Sequence, residues 1–226
     1  MKNNKILILA AHPDDETLGC GGVIKKFSMM GADIKVVFFS DGETSRKIVK
    51  NKIKSKIEKR KNNSIKALKV LGCTKYEYLN YPDNRLYSVD YLDLIKKIEI
   101  TILNFKPTIV FTHYFNDLNI DHSIISKATT TACRPAKFKF LKQMYYYHVQ
   151  SSTDWNFTSN SNFKPNSFFD ISKTFKFKKK ALLHYKSELL NKHPRSINSV
   201  KSFLQYNGSL IGVDYAEPFI LAFSKK

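Results

Sequence analysis

The sequence predicts an α/β protein of Rossmann-like type, with a mostly parallel sheet and helices on both faces. Two observations carry this. Short β-rich apolar runs alternate with longer helical patterns, and several helical patterns close on a turn signal, as at Met30-Gly31 and Leu71-Gly72. Such alternation makes a parallel sheet, because each crossover helix must cover a sheet face. With 226 residues the chain can bury a full core, and one domain over 1–226 is expected.

Taken in order, the strand candidates are KILILAA (5–11), IKVVFFS (34–40), KYEYLNY (75–81) and TIVFTHY (108–114), followed by MYYYHVQ (144–150) and PFILAFS (218–224). Helices are expected at about 21–31, 45–71, 88–104, 121–132 and 173–190. The Asn/Ser-rich stretch 151–170 reads as a long loop or irregular flap. No internal repeat or interdomain linker is apparent.

Composition removes several classes of function. A 42% hydrophobic content rules against disorder. The net charge of +19 invites a nucleic-acid reading, but the lysines are scattered and mixed with Asn and Ile, so no binding stripe is formed and no nucleic-acid partner is expected. Two denser runs, Lys47 to Lys61 and Lys173 to Lys180, read as solvated helix faces, with attraction of an anionic substrate or peripheral contact with a membrane surface as the alternative. Cys20, Cys73 and Cys133 are far apart and show no thiolate-site spacing, which fits a reducing compartment. The apolar stretch near the N-terminus runs directly into His-Pro-Asp-Asp and reads as a buried strand. No run approaches the ~20 apolar residues of a membrane span. A cytoplasmic location is expected.

In an open α/β sheet, ligands bind beyond the carboxyl ends of the strands. There the sequence places His12-Pro13-Asp14-Asp15-Glu16 after the first strand and Asp41-Gly42-Glu43 after the second. Pro82-Asp83-Asn84-Arg85 follows the third, and His113 through Asp121-His122 follows the fourth. Imidazoles and carboxylates from different strand ends are what a catalytic zinc needs, three N/O ligands and one open position. Pro13 fixes the turn, so Asp14 and Asp15 can point apart. Helix capping would also account for an Asp-Asp pair before a helix.

The string AHPDDETLGCGG (10–22), followed by a helix and IKVVFFSDGE, resembles the N-acetylglucosaminyl-phosphatidylinositol de-N-acetylase family, also called PIG-L or LmbE-like. The likeness extends to Arg60 in a helix ending LKVLGC, to YPDNRL (81–86), to NIDH (119–122), and to HYKSELLNKHPRS and YAEPFIL near the end. It implies a zinc-dependent hydrolase that removes the acetyl group from an amino sugar, a small, anionic N-acetylated molecule linked to a nucleotide or a lipid in bacterial cell-surface glycan synthesis. It also implies one Zn2+ per chain, or another divalent ion, held by His12, Asp15 and His122. Asp14 becomes the general base, and Arg60 contacts substrate. A metallohydrolase of another amide or ester keeps this metal site and changes only the pocket.

Two positions depart from the family pattern. Asn119 stands where many members have the His that helps hold the oxyanion; its amide can donate a hydrogen bond but carries no charge. His113 is the alternative for that role. Asn63 stands where a Glu is common. Asp121 is read as a carboxylate supporting His122 or another ligand, or as a helix N-terminal residue. Asp83 is read as a contact for sugar hydroxyls, and Arg134 and Arg195 as partners for a substrate phosphate or carboxylate. Cys20 is placed in a Gly-rich turn. Gly19-Cys20-Gly21-Gly22 lacks the third glycine of a dinucleotide motif, and the acids before it would repel a pyrophosphate.

Overall fold

In a computed structural model, which describes residues 4–46, 50–157 and 162–225, the chain forms a seven-stranded sheet flanked by six α-helices. The elements are β1 (Lys5–Ala10), α1 (Asp15–Met29), β2 (Asp33–Ser40), α2 (Lys50–Leu71), β3 (Lys75–Tyr81), α3 (Tyr91–Phe105), β4 (Ile109–His113) and α4 (Ile120–Ala132). Then come β5 (Gln143–Tyr147), β6 (Ser167–Asp170), α5 (Phe175–Leu182), α6 (Ile197–Ser209) and β7 (Ala216–Ser224). A 3-10 turn at Leu183–Glu188 continues α5. The expected helix 173–190 is therefore shorter and broken, and β6 and α6 are additions to the sequence reading.

The strand order is β3-β2-β1-β4-β5-β7-β6; the first five are mutually parallel and β7 is antiparallel to both of its neighbours. From Ile6 onward the central strand β1 is apolar at every position, because it is covered on both sides. Ile6, Ile8 and Ala10 pack with α1, α2, α5 and α6, while Leu7, Leu9 and Ala11 pack with α3 and α4. The chain moves outward from β1 through β2 to β3, then returns to place β4 on the other side of β1. Between β1 and β4 lies the topological switch point, where crevices open in this class of fold.

Helix α1 begins six residues earlier than the sequence pattern indicated, inside the His-Pro-Asp-Asp-Glu string. The glycines and Cys20 consequently lie within the helix and not in a turn. Their role is close packing: a methyl group at Gly19 would run into the ring of Tyr147, and one at Gly22 would meet Ile171 at 2.7 Å. Side chains from other elements reach the backbone of α1 at the same place. Glu217 accepts from the N–H groups of Gly22 and Val23 at 2.8 and 2.7 Å, while Lys178 donates to the Leu18 carbonyl and to Glu217. Lys178 is fully buried, so the second lysine run is not wholly a solvated face.

Helix α2 is amphipathic as expected. Arg60, Ser64, Ala67, Leu68 and Leu71 are buried at helical spacing, and Lys52, Lys54, Lys56 and Lys59 are exposed. The beginning of that lysine run, 47–49, lies outside the described residues, as does 158–161 of the expected flap. No described helix is long and apolar enough to cross a membrane.

Candidate metal centre

The loop after β1 and the N-terminus of α4 meet at the switch point. His12 leaves the end of β1, Asp15 is the first residue of α1, and His122 is the third residue of α4. All three are buried. His12 Nδ1 is 3.3 Å from Asp15 Oδ2, His122 Nε2 is 3.2 Å from the same oxygen, and the two nitrogens are 3.3 Å apart. Donors about 2.0–2.1 Å from a tetrahedral zinc lie about 3.3 Å from one another, so this triangle has the dimensions of three zinc ligands.

The outer ring nitrogens explain why the inner ones can act as ligands. His122 Nδ1 faces Asp117 Oδ1 at 3.2 Å; His12 Nε2 faces Asp83 Oδ1 at 2.9 Å and Asp121 Oδ2 at 3.4 Å. A proton on each outer nitrogen leaves the lone pairs of both imidazoles directed at Asp15, the arrangement that second-layer carboxylates give to metal-bound histidines. Three electron-rich atoms at this spacing require a positive charge among them. Burial lowers the affinity of His122 for a proton, but Asp15 and Asp117 outweigh it and raise its pKa to about 9. His12 is likewise raised despite burial, by Asp121, Asp15 and Asp83. A divalent ion answers the same demand, and Asp15 Oδ1 is left without a partner inside the cluster. The donor set fits zinc.

Asp14 is not part of this triangle but lines the pocket beside it. Its backbone has φ 150°, a region L-residues avoid, and holding it there costs on the order of 1–3 kcal/mol. The twist separates two adjacent carboxylates, as Pro13 led one to expect. Asp14 Oδ2 lies 3.3 Å from Arg195 and 3.8 Å from Arg60. Burial raises the Asp14 pKa, with the two guanidinium groups opposing and Asp15 and Glu188 adding to the rise.

Arg60 lines the pocket over the triangle and is itself buried, its guanidinium held by ion pairs and a carbonyl. Its Nη1 is 2.7 Å from Glu188, its Nε 3.5 Å from Glu43, and its Nη2 donates to the Gly42 carbonyl at 3.2 Å. Arg195 reaches the same pocket from the segment before α6, fixed by Gln150 and Ser151. Arg134 does not join them. It is exposed beyond the C-terminus of α4, about 19 Å of helix from the end that carries His122, because it follows a 13-residue helix whose N-terminus is at the site.

Asn119 is the N-cap of α4, its Oδ1 accepting from the N–H groups of Asp121 and His122 at 2.9 and 3.4 Å. That fixes the amide and leaves Nδ2 as its donor at the pocket wall. His113 is fully buried behind His122, with rings stacked at 3.9 Å. Its Nε2 accepts from the Ala11 N–H at 2.8 Å, and burial and the neighbouring His122 keep the imidazole neutral. It does not line the pocket.

Asp121 stands by the other imidazole of the pair, and a second carboxylate stands behind His122. The carboxylate behind His122 is Asp117, which the sequence reading passed over; Asp121 accepts from the backbone of Asn84 and Leu86 and approaches His12. Asp83 also acts on His12 and accepts from Ser45, and these partners with Arg60 outweigh burial and hold it at about 2. The hydroxyls of Ser152 and Thr153 close the back of Asp117. Glu188 was missed as well, although it lies in the SELL segment. Asp117 stands only five residues before His122, but nothing local marks its carboxylate as the one that meets the imidazole, and Glu188 lies far along the chain in the 3-10 turn.

The family described as GlcNAc-PI de-N-acetylase, PIG-L, matches residues 7–133, a span that holds His12, Asp14, Asp15, Arg60, Asp117 and His122. An uncharacterized deacetylase of Escherichia coli K12, YaiS, is 32% identical over 138 residues, covering 59% of this chain and 70% of that protein. The N,N'-diacetylchitobiose deacetylase of Pyrococcus horikoshii superposes with a TM-score of 0.79 at 22% identity, over 96% of this chain and 83% of the other. GalB of Pseudomonas putida, a 4-carboxy-2-hydroxymuconate hydratase, superposes with a TM-score of 0.80 at 17% identity, over 99% and 98%. These two structures share the fold. A deacetylase and a hydratase on one scaffold show that the fold does not choose the reaction.

Proposed function

The chain belongs to the PIG-L family of GlcNAc-PI de-N-acetylases, and from this premise we propose that it is a zinc-dependent hydrolase that cleaves the acetamido group of an amino sugar. The observation that carries the proposal is the triangle of His12 Nδ1, Asp15 Oδ2 and His122 Nε2. Bound there, zinc would lower the pKa of a water toward ~7 and polarise the amide carbonyl.

The remaining chemistry belongs to the chain. Asp14 Oδ1 takes a proton from the attacking water as oxygen bonds to the amide carbon. Burial makes this carboxylate a better base, with Arg60 and Arg195 opposing the rise. Asn119 Nδ2 donates to the developing oxyanion, its direction set by the cap its Oδ1 provides. The C–N bond then breaks, Asp14 returns the proton to the leaving amine, and acetate departs. Asp117, Asp83 and Asp121 hold the two imidazoles in the required tautomer.

The pocket over the triangle, about 120 Å3, admits little more than the reacting group. Arg46 at its mouth and the +19 charge favour an anionic carrier, such as a nucleotide- or lipid-linked sugar of bacterial cell-surface glycan synthesis in the cytoplasm. The test is acetate release from a panel of such N-acetylated sugars by zinc-loaded protein, with elemental analysis of the same sample. Full activity after exhaustive chelation, with no metal present, would exclude the mechanism.

A further inference from the structure

Beyond the loop that backs Asp117 lies a much larger cavity, about 670 Å3, within the ~300–1,000 Å3 range of small-ligand sites. It is walled by the loop after β5, the end of α6 and the β6–β7 edge. A groove of about 400 Å3, which shares Asp154 and Phe203 with it, runs beside Pro194 toward Arg195 and the metal-site pocket. We infer that the large cavity is a saccharide-binding subsite that takes sugar units beyond the one deacetylated at the metal centre. Its catalytic sense rests on the deacetylase reading; the binding itself does not.

The lining decides the ligand class. Phe163, Phe168, Phe203 and Tyr206 present aromatic surface, which takes the C–H face of a pyranose ring as readily as an alkyl chain. The polar groups separate those two occupants. Asn156 and Asn207 commit their Nδ2 atoms to the carbonyls of Asn116 and Phe203, both at 2.8 Å, and so turn their Oδ1 atoms into acceptors for ligand hydroxyls. His148 is held by Asp154 at 2.8 Å and stacked on Phe203, with its buried Nδ1 lacking a partner. An alkyl chain would desolvate the two amide oxygens without replacing their hydrogen bonds. Hydroxyl-bearing rings satisfy them. Phe157 and Tyr206 are strongly exposed at the mouth, which fits ring platforms waiting for a partner.

The cavity also touches the metal centre mechanically. Thr153 lines it while donating its hydroxyl to Asp117, which holds His122.

Isothermal titration calorimetry with neutral tetrasaccharides lacking an acetamido group (cellotetraose, maltotetraose and xylotetraose) tests this without reference to turnover. At least one should bind, Phe157→Ala combined with Tyr206→Ala should weaken it about tenfold, and Asp15→Asn should leave it unchanged. The two aromatic positions are exposed, so the double variant should keep the wild-type melting temperature. The inference is overturned if no tetrasaccharide binds, if binding is lost in Asp15→Asn but kept in the double variant, or if octyl glucoside binds through its chain while methyl glucoside and the tetrasaccharides do not. Acetate release with no saccharide binding would sink the subsite and spare the proposed function; the converse would spare the subsite.

Discussion

Replacing Asp117 by Asn isolates the contribution of one carboxylate to metal affinity. Asp117 makes four contacts: Oδ1 faces His122 Nδ1 at 3.2 Å and accepts from the Asn119 N–H at 2.9 Å, while Oδ2 accepts from the hydroxyls of Ser152 at 3.2 Å and Thr153 at 2.5 Å. An Asn with its oxygen in the first position keeps both contacts there. Its amide then faces two hydroxyls, which can rotate to accept, so shape and hydrogen-bond count survive and the charge alone is removed. Loss of such an outer partner typically weakens metal binding 10–100-fold, about 1.4–2.7 kcal/mol. Zinc affinity measured by competition with a chelator should fall by that much, with the melting temperature little changed. Thr153→Val, which keeps the charge, should cost less than tenfold. Wild-type affinity in Asp117→Asn, with His122→Ala unable to retain zinc, would refute the claim that Asp117 prepares His122 as a ligand.

Other substitutions separate the neighbouring roles. Asp14→Asn should retain zinc and lower kcat by roughly 10²–10⁴, whereas Asp15→Asn should lose zinc by elemental analysis; the reverse order of metal content would exchange the two assignments. Asn119→Ala should lower kcat by about 10², and should also destabilise α4 by ~0.5–2 kcal/mol through the lost cap. Asn119→Asp keeps a capping oxygen but removes the donor, so normal stability with low kcat supports the donor role, and normal kcat in that variant removes it. Gly19→Ala should destabilise by about 1–3 kcal/mol in thermal melts, because the added methyl meets Tyr147 deep in the core; an unchanged melting temperature would mean that α1 can move away.

The sheet was legible because its strands are short apolar runs between helical patterns, and the expected strands match the observed ones within a few residues. What failed was the start of α1. Three glycines after a strand look like a phosphate loop or a turn, whereas here they are helix residues kept small by Tyr147, Lys178 and Ile171, a tertiary demand that no local pattern announces. The converging His12, Asp15 and His122 could be read from strand ends and from the family resemblance. The layer behind them could not. Asp117 looks like an ordinary loop residue until the fold brings the turn at 152–153 against it, and Arg134 looked as eligible as Arg195 until α4 carried it to the opposite edge.

The charge of the chain was the most misleading quantity, and the structure shows why. Positive charge lies outward, on the exposed lysines of α2, while the acids are concentrated inward: Asp14, Asp15, Glu16, Asp41, Glu43, Asp83, Asp117, Asp121 and Glu188 are all buried on the site's side of the sheet. Nine buried carboxyl groups in one region would repel one another strongly without compensation. Arg60, Arg195 and Arg46 answer those around Asp14 and Glu188, and the two imidazoles answer those around Asp15. The triangle is answered by imidazoles alone, with no arginine or lysine among its ion pairs in the described residues. On the proposed reading, an anionic sugar drawn by the outer lysines would meet, at the bottom of the pocket, a triangle of donors suited to a cation.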